Sequence, residues 1–292
     1  MLFRSSLRRG ASLRPLIDLH THTTASDGSL TPDELVSCAT AARLAVLSVT
    51  DHDTFAGCAT AAAACEAAGI EFVPGIEVTA VRDGHDVHTL GYFVDPSSET
   101  LARFLVSQRD RRVQRVREIV GRLGKLGVAL DVEQILQPAR EDQSKAVGRP
   151  WIARALVARG HVASANEAFE RWLGRGRPAF VPRSGASPEE VIAHIHEAGG
   201  VASIAHPGPL QHDDWLPSFA EAGLDALEAY HSDHDVGATA RYLALAHTLG
   251  LAVSGGSDYH ADASHGGAAL GGVLLPRHEY ERLRARAGRP LR

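Results

Sequence analysis

Apolar runs long enough for a β-strand recur along this chain, and most of them lead directly into ionisable side chains. Residues 45–49 are followed by Asp51-His52-Asp53, and residues 201–205 are followed by His206. An ionisable group beside a buried strand destabilises a fold unless it is solvated, paired or bound to a ligand. In α/β barrels such groups cluster at the carboxyl ends of the strands, where the active sites lie. The chain is therefore expected to bring these strand ends together at one site.

Helical segments separate most of the apolar runs. Two of them begin with a capping box that has proline at the first helical position, Thr31-Pro32-Asp33-Glu34 and Ser187-Pro188-Glu189-Glu190. Helices that alternate with strands favour βα units with parallel pairing. About seven strands are predicted, near residues 15–20, 45–49, 71–78, 87–94, 201–205, 225–229 and 251–254. The pattern predicts an α/β fold in which a barrel-like closure is plausible.

The alternation stops between residues 97 and 184, where the sequence has helical patterns and no convincing strand. We predict that residues 15–96 and 185–292 form the barrel and that residues 97–184 form a helical insert or cap. The long helix predicted at 101–126 carries an arginine run, which we expect on a solvated face: Arg109, Arg111, Arg112, Arg115 and Arg117. The acid-free, Arg-rich segment 1–14 is expected to be a disordered tail, with a transit peptide as the alternative.

Composition limits the classes of protein to which the chain can belong. The net charge of −5 over 292 residues argues against a general nucleic-acid coat protein, although it allows a local phosphate site. The chain has three cysteines, an odd and small number that does not suit a disulfide framework. Cys38 and Cys65 are expected to be buried in Ala-rich helices. No run approaches the roughly 18 apolar residues of a membrane span. We expect a cytoplasmic protein that does not associate with membranes.

The motif Asp18-x-His20-x-His22 is the first candidate for metal binding. If the strand geometry continues through it, the two imidazoles point the same way and can chelate one ion. Neutral imidazole is a good ligand for zinc, manganese or iron. We expect Asp18 to hold a histidine ring nitrogen and so to fix its tautomer.

Further His, Asp and Glu residues lie at the other predicted strand ends. With the first motif they make nine candidate ligands, His20, His22, Asp27, His52, Glu77, His88, His206, Asp258 and His260. Nine groups exceed the needs of one ion, because catalytic metal sites keep open positions for water. We therefore predict two or three divalent ions that share a carboxylate, with Mn²⁺ expected and Zn²⁺ or iron as alternatives.

In their order and spacing, these motifs resemble the PHP family (polymerase and histidinol phosphatase). The matching motifs are Asp18-x-His20-x-His22, Thr50-Asp51-His52-Asp53, Gly75-x-Glu77, His88, Ala205-His206-Pro207 and Ser257-Asp258-x-His260. They run through about 15–95 and 187–275, and no motif position departs from the family pattern. The resemblance implies a distorted (β/α)7 barrel with an inserted helical subdomain, like that of small stand-alone members, which act on nucleotide phosphates.

The resemblance also assigns the ligands to individual ions. His20, His22, Glu77 and Asp258 would hold the first ion, and Glu77 would bridge to a second ion held with His88 and His206. Asp27, His52 and His260 would hold the third, with Asp18 and Asp51 supporting the ligands. Catalysis would rest on His20, His22, Glu77, His206 and Asp258, which would place a hydroxide shared by two ions in line with phosphorus.

A substrate with more than one phosphate needs cations away from the metal ions. The candidates for binding it are Arg149, Lys145 and Arg177, with Arg183 and the pocket-lining His231, although solvated surface positions are the alternative for each. Arg149 is favoured because it lies where a helix begins.

The leading functional hypothesis is a phosphatase that removes the 3′-phosphate of nucleoside 3′,5′-bisphosphates. The alternatives are a 5′–3′ exoribonuclease on short 5′-phosphorylated RNA, a histidinol phosphatase, and a module that binds metal without turnover. The expected partner is a small nucleotide or a short RNA, and neither a stable DNA partner nor a membrane is expected.

Overall fold

Seven strands form one sheet in the computed structural model, which describes residues 16–142, 145–261 and 268–287. The predicted tail at 1–14 lies outside the described residues. The strands are β1 Leu16–Asp18, β2 Leu44–Val49, β3 Glu71–Arg82, β4 His85–Tyr92, β5 Val201–Ile204, β6 Ala226–Tyr230 and β7 Ala252–Gly255. They lie side by side in the order in which they occur along the chain. The predicted mixed α/β class with seven strands is confirmed.

The pairing is parallel except around β4, which runs antiparallel to both β3 and β5. A two-residue turn, Asp83-Gly84, joins β3 to β4, and both residues have positive φ (50° and 71°). Asp-Gly in this conformation is the preferred connection of a tight β-hairpin. Parallel βα pairing therefore holds for the strands separated by helices, and the hairpin is the exception that distorts the barrel.

The two edge strands approach each other just beyond their ends. Leu19 N donates to Gly255 O at 3.3 Å, and His22 N donates to Tyr259 O at 2.9 Å. The buried Asp18 carboxylate accepts from Ser257 N at 2.9 Å and from the Ser257 hydroxyl at 2.6 Å. The chain segments after β1 and β7 are thus held together by hydrogen bonds, although the two strands are not paired as a ladder.

Helices cover the sheet and fill the predicted insert. They are α1 Pro32–Ala41, α2 Cys58–Ala68, α3 Glu99–Lys125, α4 Val132–Glu141, α5 Arg149–Ala158, α6 Ala165–Ala168, α7 Pro188–Glu197, α8 Pro207–Leu210, α9 Leu216–Glu221, α10 Val236–Thr248 and α11 Arg277–Arg284. A π-helical turn at Phe169–Leu173 directly follows α6, and a 3-10 turn at Asp213–Trp215 lies between α8 and α9. Both predicted capping boxes are present, at Thr31 and Ser187. Among the described helices, none has the length and apolar character needed to cross a bilayer.

The apolar side chains pack in separate clusters. One lies between the sheet and the helices around it, and another involves only residues between Val116 and Val181. The described residues from 97 to 184 contain helices and no strand. That they form an insert distinct from the barrel stays a prediction.

The long helix α3 packs against the barrel through a polar face. Gln108 donates to Thr79 O at 3.0 Å, Arg112 donates to Thr79 Oγ1 at 3.0 Å, and Arg112 forms a short ion pair with Asp53. Arg112 and Arg115 are only 7% and 8% exposed. The predicted solvated face is therefore wrong for these two arginines, because they pair with groups on the barrel and Arg115 also donates to the carbonyl of Val181, near the end of the predicted insert.

The cysteines are free in the structure. Cys58 and Cys65 are buried, whereas Cys38 is exposed, so the expectation that Cys38 is buried is wrong. Its helix α1 buries Leu35, Val36 and Ala39, and Cys38 lies outside that face.

We predict that Gly256→Ala destabilises the protein by about 1–3 kcal/mol, the usual effect of overpacking. A Cβ at Gly256 would meet the backbone nitrogen and Cβ of His20 and would lie 2.8 Å from Asp18 Oδ1. Gly121→Ala is the matched control, since nothing lies within 4 Å of that position on α3 and alanine favours a helix. Urea unfolding of both variants measures the effect, and an unchanged midpoint for Gly256→Ala would contradict this close approach.

Candidate metal centre

Histidine and acidic side chains from distant parts of the sequence meet at one edge of the sheet. Those that follow parallel strands arrive there because the carboxyl ends of these strands share that edge. The structure brings together all nine candidate side chains, and we call this set the His/carboxylate cluster: His20, His22, Asp27, His52, Glu77, His88, His206, Asp258 and His260.

Glu77 and His88 reach this edge differently from the way that the sequence predicted. Glu77 was expected at a strand end, but β3 continues to Arg82, so both residues lie inside the hairpin. Asp53 N donates to Glu77 O, and Ala205 N donates to His88 O, each at 2.9 Å. These bonds lie just beyond the ends of β2 and β5. The hairpin therefore continues past its neighbours and carries Glu77 into the centre of the cluster.

One group of atoms in the cluster surrounds a single point. His20 Nε2 and His22 Nε2 lie 3.3 and 3.1 Å from Asp258 Oδ1. The same two nitrogens lie 3.4 and 3.2 Å from Glu77 Oε2. Two ligands that each lie about 2.1 Å from an ion are roughly 3.0–3.4 Å apart, depending on the coordination angle. The atoms of His20, His22 and Asp258 all lie within 4.8 Å of one another, a spacing that fits one cation, and Glu77 Oε2 lies beside both nitrogens.

Both oxygens of Glu77 face imidazole rings. Its Oε1 lies 2.7 Å from His88 Nδ1 and 3.1 Å from His206 Nε2, while its Oε2 lies 3.1 Å from His52 Nδ1. The carboxylate thus separates two sets of nitrogen atoms. A carboxylate in this position can bridge two ions.

Asp27 is the centre of the remaining group. Its oxygens lie 3.3 Å from His260 Nε2, 3.6 Å from His52 Nε2 and 3.7 Å from His22 Nδ1. The last two distances are too long for hydrogen bonds. In the first group, His22 Nε2 and Asp258 Oδ1 are both buried without a hydrogen-bond partner. A buried polar atom without a partner is unfavourable, and a cation beside these two atoms would remove that cost. The residues therefore fit a divalent metal.

The charges of the cluster depend strongly on one another. Burial, the largest effect, disfavours the protonated form of His22, but the nearby Asp258 and Glu77 carboxylates outweigh it and raise the pKa to about 10. Burial likewise disfavours the ionised form of Glu77, yet His52, His88 and His20 hold its pKa well below the ordinary value. In the absence of ions the raised pKa values of His20, His22 and His206 favour protons on these rings, whereas burial lowers the pKa of His52 well below the ordinary value. Metal binding would displace those protons from the same nitrogen atoms.

Glu228 on β6 orients two members of the cluster, and the sequence analysis did not identify it. Its Oε1 lies 3.0 Å from His20 Nδ1, and its Oε2 accepts from His206 N at 2.7 Å. A proton on Nδ1 leaves Nε2 of His20 as the atom that faces Glu77 and Asp258. Glu228 is fully buried within the apolar run Ala226-Leu227-Glu228-Ala229. An acid in the middle of a buried strand needs a partner, and that signal could have identified it.

Asp18 and Asp51 support the cluster by accepting hydrogen bonds from backbone nitrogens and from hydroxyl groups, and not from imidazole rings. Asp18 accepts from Ser257 and from the backbone nitrogens of Gly271 and His20, so the expectation that it holds a histidine ring is wrong. Asp51 accepts from Thr23 N at 2.8 Å, from the Thr23 hydroxyl and from the Ser26 hydroxyl. These bonds fix the loop that carries Asp27.

Four guanidinium groups stand beside the cluster, and we call Arg112, Arg115, Arg149 and Arg183 the guanidinium wall. They surround two carboxylates: Asp53 pairs with Arg112 and Arg183, while Asp86 lies 3.6–3.9 Å from Arg115, Arg149 and Arg183. Burial opposes the ionised form of Asp86, but the arginines lower its pKa to about 2. Burial and the neighbouring Arg112 lower the pKa of Arg183 to about 9. Four positive charges face two negative ones, so the wall can accept an anion.

The wall and the cluster line the same cleft, which has a volume of about 500 Å³. Arg112, Arg149 and Arg183 are part of its lining, together with Asp27, His52, Glu77, His88, His206, Asp258 and His260.

The spacing of residues along α3 could have indicated that two of its arginines are buried. Its buried residues recur every three or four positions and include Leu101, Leu105, Gln108, Arg112, Arg115 and Ile119.

The other predicted substrate-binding residues lie at different places. Lys145 lines a separate cavity between α4, α5 and the loop at 24–29, and Arg177 is exposed and outside the lining of the cleft. His231 is buried behind the cluster, with its Nε2 3.5 Å from Asp258 Oδ2. The structure therefore brings Arg149 to the cleft and His231 to its rear, but not Lys145 or Arg177.

Known proteins resemble this chain in sequence and in structure. Residues 18–168 match the PHP domain family model. The 5′-3′ exoribonuclease Rnm of Escherichia coli is 36% identical over 252 residues, which cover 84% of this chain and 85% of that protein. The 3′,5′-nucleoside bisphosphate phosphatase of Chromobacterium violaceum is 35% identical over 255 residues, or 86% of this chain and 89% of that protein.

A protein of Bifidobacterium adolescentis described as a metal-dependent phosphoesterase has a similar crystal structure. The TM-score is 0.85 at 33% identity, and the match covers 94% of this chain and 96% of that one. The similarity in fold therefore extends over both the sheet and the helices between 97 and 184. The two curated relatives have different activities at nearly equal identity, so overall identity does not distinguish between their substrates.

We predict that Glu228→Gln weakens divalent-metal binding by about 10–100-fold, the usual effect of losing a group that orients a histidine ligand. The amide cannot accept from both His20 Nδ1 and His206 N, as the carboxylate does. Calorimetric Mn²⁺ titration measures the effect, and nitrogen NMR shifts of the metal-free protein report the tautomer of His20. Glu189→Gln, at an exposed ion pair with Arg82, is the control. Wild-type metal affinity together with an unchanged tautomer would refute this role for Glu228.

Proposed function

The chain belongs to the PHP domain family, and on that premise we propose that it is a metal-dependent phosphoesterase that removes a phosphate group from a nucleotide. The preferred substrate is a nucleoside 3′,5′-bisphosphate, which loses its 3′-phosphate. The observation that carries this proposal is the cleft itself. Seven members of the His/carboxylate cluster and three of the four arginines of the guanidinium wall line one space of about 500 Å³, which lies within the usual range for small-molecule sites.

In this proposal Glu77 is a ligand shared by two ions. Glu77, His20, His22 and Asp258 would hold the first ion, and the nitrogens of the two histidines lie 3.1–3.4 Å from the facing carboxylate oxygens. Glu77 would hold the second ion with His88 and His206, and Asp27, His52 and His260 would hold the third. The spacing of the atoms supports the group of His20, His22 and Asp258 and the group of Asp27, His52 and His260. For the second ion the support is that Glu77 Oε1 faces both His88 and His206, and the burial of Glu77 with imidazole on both oxygens supports the bridge.

Divalent ions bound there would supply a water of lowered pKa and would neutralise charge on the phosphoryl oxygens. The side chains of the protein determine where this chemistry takes place. Glu228 keeps His20 in the tautomer that directs Nε2 towards Glu77 and Asp258. We assign the catalytic role to His20, His22, Glu77, His206 and Asp258. The three histidines face the Glu77 carboxylate, and Asp258 faces His20 and His22.

The guanidinium wall is proposed to bind the second phosphate of the substrate. It has two positive charges in excess of Asp53 and Asp86, and a phosphate monoester carries nearly two negative charges at neutral pH. Arg183 lines the cleft, and its buried Nε makes no hydrogen bond. An anion in the cleft would accept from this unused donor, and guanidinium geometry suits phosphate.

We propose Mn²⁺ as the bound metal, with Zn²⁺ or iron as alternatives. The cluster offers imidazole nitrogen and carboxylate oxygen, a mixed set that suits these ions, and it contains no thiolate. We also propose that the protein works in the cytoplasm, because Cys58 and Cys65 are buried as free thiols.

A second candidate is a 5′–3′ exoribonuclease on short RNA. The Escherichia coli relative that has this activity is 36% identical to the chain. The same cluster would serve either reaction, because both hydrolyse a phosphate ester. The net charge of −5 favours the small substrate over long RNA.

The first test removes the metal. We predict that a chelator abolishes phosphate release and that added Mn²⁺ restores it. Glu77→Ala is expected to lose at least two ions together, because both oxygens of the carboxylate face ligand groups. Metal content after gel filtration measures this loss. Glu189→Ala, which changes a partly exposed acid far from the cluster, is the control, and full metal content in Glu77→Ala would rule out the bridge.

The second test compares substrates. We predict faster turnover of adenosine 3′,5′-bisphosphate than of a 5′-phosphorylated RNA trimer, with phosphate and mononucleotide release measured in parallel. Faster release of mononucleotides from the trimer would favour the exoribonuclease instead.

A variant of the guanidinium wall makes this comparison sharper. Arg149→Gln is expected to raise the KM for the bisphosphate about tenfold or more, the usual effect of losing one charge-assisted contact, and to leave the KM for adenosine 3′-monophosphate nearly unchanged. Arg171→Gln, which removes an exposed arginine paired with Glu167, is the control. An equal rise for both substrates would refute a role in binding the second phosphate.

A further inference from the structure

A side chamber of about 270 Å³ adjoins the metal cleft. Four residues line both spaces and form the boundary between them: His88, Arg149, His206 and Pro209. Its remaining lining comes from the β3–β4 turn, from the segment after α6 and from α8, and includes His85, Arg175, Phe180 and Leu210. A molecule with its phosphate at the cluster could extend into this chamber.

Arg175 connects the insert to the barrel at this chamber. Its guanidinium donates to the carbonyl of Gly84 through a short hydrogen bond and lies 3.3 Å from His85 Nε2. His85 in turn packs against His212 and Trp215, which are stacked with ring centroids 3.9 Å apart. His85, which faces Arg175, is therefore held in place by aromatic packing on its other side.

The lining of the chamber differs from that of the metal cleft. Phe180, Leu210, Pro209, Ala205 and Val87 give it apolar surface. Arg149 and Arg175 add hydrogen-bond donors, and the Asp86 carboxylate at its edge is already paired with arginines. A second phosphate would find more cations at the guanidinium wall. A flat ring with an apolar face and acceptor atoms on its edge fits the lining of the chamber better.

We infer that this chamber holds the nucleobase of the substrate, with Phe180 and Arg175 as the residues that recognise it. The inference rests on the proposed function, since the reacting phosphate occupies the adjoining cluster. A nucleobase has an aromatic face for Phe180 and ring nitrogens that accept from guanidinium. The base would then add to the affinity that the two phosphates supply.

The test compares a nucleotide with a substrate that lacks only the base. The full-length, Mn²⁺-loaded protein is assayed on adenosine 3′,5′-bisphosphate and on 1-deoxyribose 3,5-bisphosphate. Phe180→Leu is expected to raise the KM for the nucleotide about tenfold and to leave that for the base-free substrate within twofold. Phe180→Tyr keeps the ring and should retain the wild-type value.

A second variant covers the case in which Phe180→Leu does not fold. Arg175→Ala changes an exposed side chain and should also raise the KM for the nucleotide alone. Arg171→Ala, an exposed arginine nearby in sequence, should change neither KM. An equal rise for both substrates would show that Phe180 acts only by supporting Arg149, whose guanidinium lies 6.0 Å from its ring, and would overturn the inference. Unchanged KM values would overturn it too.

Equilibrium binding separates failure of the chamber from failure of the proposed function. Adenosine 5′-monophosphate and ribose 5-phosphate are titrated onto the Mn²⁺-loaded protein without measuring turnover. Tighter binding of the nucleotide, lost in Phe180→Leu and in Arg175→Ala, supports the chamber even if the protein hydrolyses neither bisphosphate. Equal affinities in the wild-type protein would overturn the inference and leave the proposed hydrolysis standing.

Discussion

The structure depends on one buried carboxylate. Glu77 is 1% exposed, and both of its oxygens face imidazole rings. An isolated ionised group at such a position would be strongly destabilising, so the surrounding residues have to compensate its charge. The compensation comes from β4 and from the segments that follow β1, β2 and β5, which are far apart in sequence. Local propensity alone does not bring these segments together. They have to meet around Glu77 because its buried charge needs their imidazole groups, so the arrangement of the strands and the composition of the site depend on each other.

The helices between 97 and 184 contribute the opposite charge. Arg112, Arg115 and Arg149 come from α3 and α5, Arg183 follows the helices, and all four lie around Asp53 and Asp86 of the barrel. Asp53 comes directly after His52, so one short segment of chain contributes to both the cluster and the wall. Protons or metal ions balance the negative charge on one side of the cleft, and the excess cations on the other side are available to an anion. A phosphate ester fits between them because it needs both.

The sequence predicted the members of the cluster well and their supporting groups poorly. His20, His22, His206 and Asp258 follow apolar runs, so their position at strand ends could be inferred from the pattern. Glu228, in contrast, lies inside a strand, and its partner His20 is 208 positions away. The sequence predicts solvated positions for Arg112 and Arg115, because arginine on a helix is usually exposed. Their partners, Asp53, Thr79, Val181 and Asp86, become neighbours only when α3 packs on the barrel.

The sequence by itself determined the seven strands, the helix starts at Thr31 and Ser187, and the residue types available for metal binding. These follow from apolar periodicity, capping chemistry and the preference of metals for imidazole and carboxylate, all of which act over a few residues. Only the tertiary structure decided that β3 continues past Glu77, that Glu228 orients His20, and that Arg149 but not Lys145 or Arg177 faces the cleft. The physical reason is that burial and charge pairing depend on which segments pack together, and packing is a property of the whole fold.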